Sequence, residues 1–356
     1  MKLENRIEQI HPISEEAMER ARERWSHVAK PLGSLGLLED AVVKIAGIQG
    51  QEKIRISKKA LVIMCADNGI VEEGVTQTGQ EVTGVVTENF TKGRSCVCIM
   101  ARQAGVRVVP VDIGVAGELK NRGSLYPLVE RKIAWGTKNF MREPAMTREE
   151  TLKAIETGIQ IAEDLKRQGY DMLAVGEMGI GNTTTSAATA SVLLGEDPKL
   201  MTGRGAGLSD EGLERKKKVI RQALAFHRPD PHDPVDVLSK VGGLDLAGLA
   251  GICLGGAIFH MPVVLDGFIT SVAALAACGL HRGVSGCLLA SHVSAEPAGR
   301  LVLERLGLKA PIDGGLCLGE GTGAMAFMPM ISMAADIYQN MGTFQDIDIK
   351  EYVPLS

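Results

Sequence analysis

Aromatic residues make up only 4% of this 356-residue chain, so stacked rings cannot carry its core. No apolar run is long enough to cross a bilayer. The most apolar one, Leu246 to Phe259, is about 14 residues, contains glycines and is flanked by Asp245 and His260. A membrane span needs about 20 residues, so this run reads as a core helix. Met1 to Ile10 is charged and has no apolar centre, which argues against a secretory signal. Net charge is -4 and basic residues are scattered, with Lys216-Lys217-Lys218 the densest run. Without a basic stripe interleaved with aromatics, nucleic acid is not an expected partner. The seven cysteines, Cys65, Cys96, Cys98, Cys253, Cys278, Cys287 and Cys317, include no C-x-x-C pair, and most sit among apolar neighbours. They read as reduced thiols in a cytoplasmic, reducing compartment. The histidines do not cluster with them, so no metal site is expected.

What the chain does have is glycine, 42 residues of it, pointing to tight turns and close backbone approaches. Ser14 can cap an amphipathic helix from 14 to 29 whose inner face is Ala17, Ala21, Trp25 and Val28. A second helix is expected from Leu37 to Ile48. Ala60 to Ala66 is a short continuous apolar run ended by Asp67-Asn68-Gly69, the pattern of a strand buried on both faces. One long helix is expected over about 80–104, then a strand at Val106 to Val111. Thr147 and Glu150 form a capping box opening a helix to about Arg167. Further strands are expected at Met172 to Val175, Pro262 to Leu265 and Cys287 to Ala290. Alternating strands and helices imply an α/β fold, a doubly wound, mostly parallel Rossmann-like sheet. The expected large domain is 58–305, with a small helical domain built from 1–57 and 306–356.

In such a sheet ligands bind beyond the carboxyl ends of the strands, where Asp67, Asp112, Glu177, Asp266 and His292 collect. The run Gly176 to Thr185, Gly-Glu-Met-Gly-Ile-Gly-Asn-Thr-Thr-Thr, follows a strand and opens an alanine-rich helix expected over Ser186 to Leu194. Glycines admit a ligand to the backbone, and the helix start offers amide donors for an anion. An ordinary capped turn is the competing reading. Thr202-Gly-Arg-Gly-Ala-Gly207 looks like a dinucleotide fingerprint, but no good strand precedes it. It suits a second phosphate-facing loop, with Lys216 contributing charge unless that lysine is simply solvated. Leu318-Gly-Glu-Gly-Thr-Gly323 sets Glu320 between glycines at a helix start. There it either favours the helix dipole or serves as a general base. Ser291-His-Val-Ser-Ala-Glu296 invites a hydrolase reading, but the chain has no Gly-x-Ser-x-Gly elbow.

Seven segments in order resemble one family, the nicotinate-nucleotide–dimethylbenzimidazole phosphoribosyltransferases of cobalamin assembly. They are Lys30-Pro-Leu-Gly-Ser-Leu-Gly36, Met64-Cys-Ala-Asp-Asn-Gly69, Val175 to Gly179 with Gly181 to Thr184, Val237 to Gly243, Leu265-Asp-Gly-Phe268, Ser291 to Glu296, and Leu318 to Gly323. The resemblance implies that the ribose phosphate of nicotinate mononucleotide passes to 5,6-dimethylbenzimidazole or a related base, with no cofactor and no metal. It makes Glu320 the general base and Glu177 a second functional carboxylate near the ribose or nicotinate. It associates Lys216, Gly205 and Ser294 with the phosphate, and Thr78 and Val86 with the base pocket. Gly176, Met178, Gly181, Asn182, Thr183, Asp266 and Leu318 complete the substrate-binding set. Val86 stands where some members carry glutamine, and Cys317 where some carry arginine, so base preference and nucleotide grip can differ. The resemblance also implies a homodimer, for which the Gly/Ala-rich helices between 244 and 279 are a candidate surface. Two other readings stay open: a nucleotide-dependent dehydrogenase, and a non-catalytic protein that binds a benzimidazole or its riboside.

Overall fold

The computed structural model describes residues 3–352; residues 1–2 and 353–356, at the two tips of the expected terminal domain, lie outside it. Its centre is a six-stranded sheet in the order β3-β2-β1-β4-β5-β6, every neighbouring pair parallel. The strands are β1 (Lys59–Ala66), β2 (Val106–Gly114), β3 (Val129–Glu130), β4 (Met172–Met178), β5 (Val263–Leu265) and β6 (Leu288–Ala290). Strand order reverses direction between β1 and β4, and the crevice above that point is where doubly wound sheets take ligands.

The continuous apolar run in β1 is explained by burial on both sides. Ala60, Val62 and Met64 face one core, shared with the helices Arg148–Arg167, Asn182–Leu194 and Leu244–Ile258. Leu61, Ile63 and Cys65 face the other, shared with Glu15–His27, Leu37–Gln49, Cys96–Gln103 and Thr322–Asn340. The two ends of the chain meet there. The Arg24 guanidinium donates to the carbonyls of Tyr338 (2.7 Å) and Gln339 (3.0 Å), and the Trp25 and Tyr338 rings lie 5.0 Å apart.

The expected caps form. Ser14 accepts the Ala17 amide at 3.1 Å, and Thr147 and Glu150 bond reciprocally. Several expectations need correction. The stretch 80–104 is two helices, Glu81–Thr91 and Cys96–Gln103, because Gly93 turns left-handed (φ 69°) and Ser95 starts the second one by capping Cys98. The two-residue β3 was not foreseen. The helix after the 176–181 turn begins at Asn182, one turn before Ser186. Every residue of Leu244–Ile258 is buried within the chain, so this helix offers no surface to a second copy. Its glycines serve packing instead. A methyl group added at Gly251 would sit 2.9 Å from the Gly158 Cα and from the Ile155 carbonyl carbon, so this helix and Arg148–Arg167 touch backbone to backbone. No helix among the described residues is long and apolar enough to cross a membrane.

Candidate active site

A cleft of about 330 Å3 opens beyond the carboxyl ends of β4, β5 and β6. Its lining is of two chemical kinds. Val82 and Val86 from Glu81–Thr91, with Met178, Phe268 and Leu318, are apolar. Glu177, Asp266, Glu296 and Glu320, with Asn182, are acidic or polar.

Glu320 sits just outside the helix Thr322–Asn340, in left-handed backbone (φ 61°) between Gly319 (φ 85°) and Gly321 (φ 96°). For a residue with a side chain that conformation costs roughly 1–2 kcal/mol, so the surroundings must hold it. They do. The Glu320 amide donates to Glu177 Oε1 at 3.4 Å. Asp266 Oδ2 accepts from the Gly321 amide (3.0 Å), and Oδ1 from those of Gly323 (2.7 Å) and Ala324 (3.2 Å). The loop reaches β4 only because Gly176 has no side chain, since a Cβ there would lie 2.6 Å from the Glu320 carbonyl carbon. Glu320 Oε2 is buried and has no hydrogen-bond partner. Burial first, and then the Asp266 charge, push the Glu320 carboxyl up to about 7.

Below it Glu177 is 6% exposed. Burial raises its carboxyl to about 8, with Asp245 and Asp266 adding like charge. The Asn182 amide nitrogen donates to Glu177 Oε2 and to Asp245 Oδ2 (3.1 Å). Asp245 is itself fully buried and raised to about 6, again chiefly by burial. Burial likewise raises Asp266, against the pull of His292 and the three amides. A dry pocket does not ionise so many adjacent carboxylates together unless a cation joins them.

At the other end Lys216 is 1% exposed, correcting the reading of a solvated helix face. Its ammonium donates to Thr183 Oγ1 (2.7 Å) and the Gly203 carbonyl (3.2 Å). Burial lowers it to about 8. Gly205, left-handed at φ 54°, packs on the Thr183 hydroxyl, where a Cβ would come within 2.8 Å.

Of the residues singled out from sequence, Val86, Glu177, Met178, Asn182, Thr183, Gly205, Asp266, Ser294, Leu318 and Glu320 line the cleft. Gly176, Gly181 and Lys216 are absent from its wall but adjoin it: Gly176 underlies Glu320, Gly181 opens the helix Asn182–Leu194, and Lys216 bonds Thr183. Thr78 is not brought to the cleft. It lies on an exposed loop ahead of Glu81–Thr91, its carbonyl accepting the Thr76 hydroxyl at 2.8 Å. The sequence reading did not assign Val82, Phe268, Ile269, Thr270, His292 or Glu296 to the substrate set, yet they also line the cleft. A helical turn relates Val82 to Val86, and the strand-end signal Asp266-Gly267 marks the next three residues, so both groups had a detectable signature.

Ser291, His292 and Asp266 do not form a nucleophilic triad. The Ser291 hydroxyl lies 3.1 Å from His292 Nδ1, but it donates to the Asp266 carbonyl at 2.9 Å, is fully buried and absent from the cleft wall, and the Asp266 carboxylate is engaged by amides. Nor does the 203–207 loop follow a strand; the short helix Pro198–Met201 precedes it, which removes the context a dinucleotide fingerprint needs. No cluster suited to a metal ion occurs among the described residues.

Comparison with known proteins agrees with this geometry. Residues 10–349 match a family model described as phosphoribosyltransferase. A nicotinate-nucleotide–dimethylbenzimidazole phosphoribosyltransferase of Acetivibrio thermocellus is 46% identical over 348 residues, 98% of each chain. One of Ruminiclostridium cellulolyticum is 45% identical over 355 residues, the whole of both chains. The crystal structure of CobT from Thermus thermophilus superposes with a TM-score of 0.89 at 40% identity, covering 94% of this chain and 99% of that one. The chain therefore belongs to the nicotinate-nucleotide–dimethylbenzimidazole phosphoribosyltransferase family.

Proposed function

We infer that the chain transfers the ribose phosphate of nicotinate mononucleotide to 5,6-dimethylbenzimidazole or a related base, giving α-ribazole 5′-phosphate and nicotinate for cobalamin synthesis. The observation that carries the reading is the lone Glu320 oxygen. It is buried, unpartnered and close to neutral pH in its proton affinity, the condition of a general base waiting for a proton. One ring nitrogen of the benzimidazole attacks the ribose anomeric carbon, and the bond to the nicotinate nitrogen breaks. The proton on the other ring nitrogen goes to Glu320 Oε2, cancelling positive charge as the new bond forms. Such assistance is typically worth about 10²–10⁴-fold, with alignment of the two ligands supplying more.

The acidic lining suits the donor, whose ribosylated pyridine ring is cationic. That charge favours ionised Glu177 on binding, and an ionised Glu177 stabilises charge developing at the anomeric carbon. Lys216, acting with Thr183, Gly205 and Ser294, serves the phosphate. Val82, Val86, Met178 and Leu318 receive the flat apolar base. The described parts of the two terminal segments, 3–57 and 306–352, make up a small helical domain that packs on one face of the sheet of the 58–305 domain. The enzyme works in the cytoplasm as a homodimer, a setting supported by seven unpaired thiols and by exposed apolar side chains such as Val85 and Ile99. Light scattering tests the dimer, and a mass of 37.9 kDa at micromolar concentration contradicts it. The reaction is tested by incubating the purified chain with nicotinate mononucleotide and dimethylbenzimidazole. Nicotinate and α-ribazole phosphate should appear in equal amounts by mass spectrometry; absence of both overturns the reading.

A further inference from the structure

The helix Thr322–Asn340 starts without a side-chain cap of its own. Gly321 occupies the capping position and has nothing to offer the orphan amides of the first turn. A residue from elsewhere in the fold does that work. Asp266, directly after β5, places both carboxylate oxygens on the amides of Gly321, Gly323 and Ala324. Its carboxylate is thereby fully engaged by the protein, 3% exposed, with His292 next to it. A Cβ at Gly323 would lie 2.9 Å from Asp266 Oδ1 and would overlap the His292 ring, so that glycine is what lets aspartate, histidine and helix start converge.

We propose that Asp266 is a positioning residue: it caps the helix Thr322–Asn340 from outside and so holds the left-handed Gly319-Glu320-Gly321 turn with the Glu320 carboxylate aimed into the cleft. This rests on the reading of Glu320 as the general base. The role is geometric. The bond to Gly321 fixes the residue after Glu320, and the Glu177 bond fixes Glu320 itself. Released from Asp266, the turn relaxes toward right-handed backbone and the carboxylate leaves its aligned place. The Asp266 charge also tunes the base. Of the ionisable groups around Glu320, Asp266 raises it; Glu177 from β4 accepts its backbone amide, His292 sits beside Asp266 and pulls that carboxyl down, and Cys98 from Cys96–Gln103 is itself raised by the Glu320 charge.

The test is Asp266→Asn in the full-length enzyme, with Asp266→Ser as the second variant because a serine hydroxyl still accepts one amide as an ordinary cap does. Turnover should fall by about 10²-fold, the effect of misplacing a reacting group by about 1 Å. The Kd of nicotinate mononucleotide, measured by calorimetry, should change far less than turnover does, since Asp266 lines the cleft but its carboxylate oxygens are taken by the Gly321, Gly323 and Ala324 amides, and retained binding shows retained folding. The acid limb of the kcat profile should move to lower pH, because removing a negative neighbour makes Glu320 easier to ionise. Three results overturn the proposal: unchanged turnover, a lost Kd with kcat preserved (which makes Asp266 a ligand contact), or an unmoved acid limb in both variants. An inactive wild-type enzyme would instead defeat the reading of the reaction, so the two failures are distinguishable.

Discussion

Lys216 and Glu320 are opposite charges at the two ends of one site, and burial pushes both toward neutral pH, Lys216 down to about 8 and Glu320 up to about 7. They differ in what the fold gives them. The ammonium already has two hydrogen-bond partners, Thr183 and Gly203, so it is satisfied before any ligand arrives. The buried Oε2 of Glu320 has none. An unpartnered buried oxygen costs roughly 1–3 kcal/mol, and the chain sustains that cost at the atom proposed above to receive a proton. A group that holds a ligand can be built into the protein's own network; a group that reacts must be left available.

Variants at each end break the comparison in different ways. Apart from Glu320→Gln, the largest effect is expected from Gly176→Ala. The added methyl group meets the Glu320 backbone, and displacing the turn should lower kcat about 10²-fold while Kd for nicotinate mononucleotide changes little. Next is Lys216→Met, which removes a charged donor worth about 1.5–3 kcal/mol. It should raise KM for the nucleotide roughly 10- to 100-fold and leave kcat less affected, the reverse split, read by steady-state kinetics. Glu177→Gln sharpens the account of the acidic lining. A carboxyl raised on folding to about 8 stabilises the fold fully below its unfolded value, and that stability disappears as pH rises through 8. The glutamine variant lacks this loss. Its thermal stability should therefore exceed wild type at pH 8.5 by an amount of the order of 5 kcal/mol, with a smaller difference at pH 6. The smallest effect belongs to Thr78→Ala, because Thr78 lies outside the cleft wall; kcat/KM should move by less than about twofold, within the usual range of a surface change.

Much of this was legible in the residues. β1 and the Thr147 capping box have local signals, a two-face apolar run and a reciprocal side-chain pair, and both appear as expected. The glycine-flanked Glu177 and Glu320 segments were conspicuous for the same reason: the backbone geometry they need is written next to them. What was hidden depends on contacts distant in sequence. Lys216 looks like any lysine on a charged helix until Thr183 and Gly203 close over it. Asp266 looks like a ligand contact at a strand end, and only the meeting of β5 with Thr322–Asn340 shows its oxygens engaged by amides. The break between Glu81–Thr91 and Cys96–Gln103 was missed because helix-compatible residues run on both sides of Gly93. Two-residue β3 is too short to carry a period at all.

The most direct test of the account is single-turnover product formation by Glu320→Gln beside wild type, with nicotinate mononucleotide and dimethylbenzimidazole both saturating. Glutamine keeps the shape and accepts no proton. The variant should be a folded enzyme that binds both ligands and forms α-ribazole phosphate about 10²–10⁴-fold more slowly. A variant that turns over at the wild-type rate would show that the proton goes elsewhere and that Glu320 is not the base.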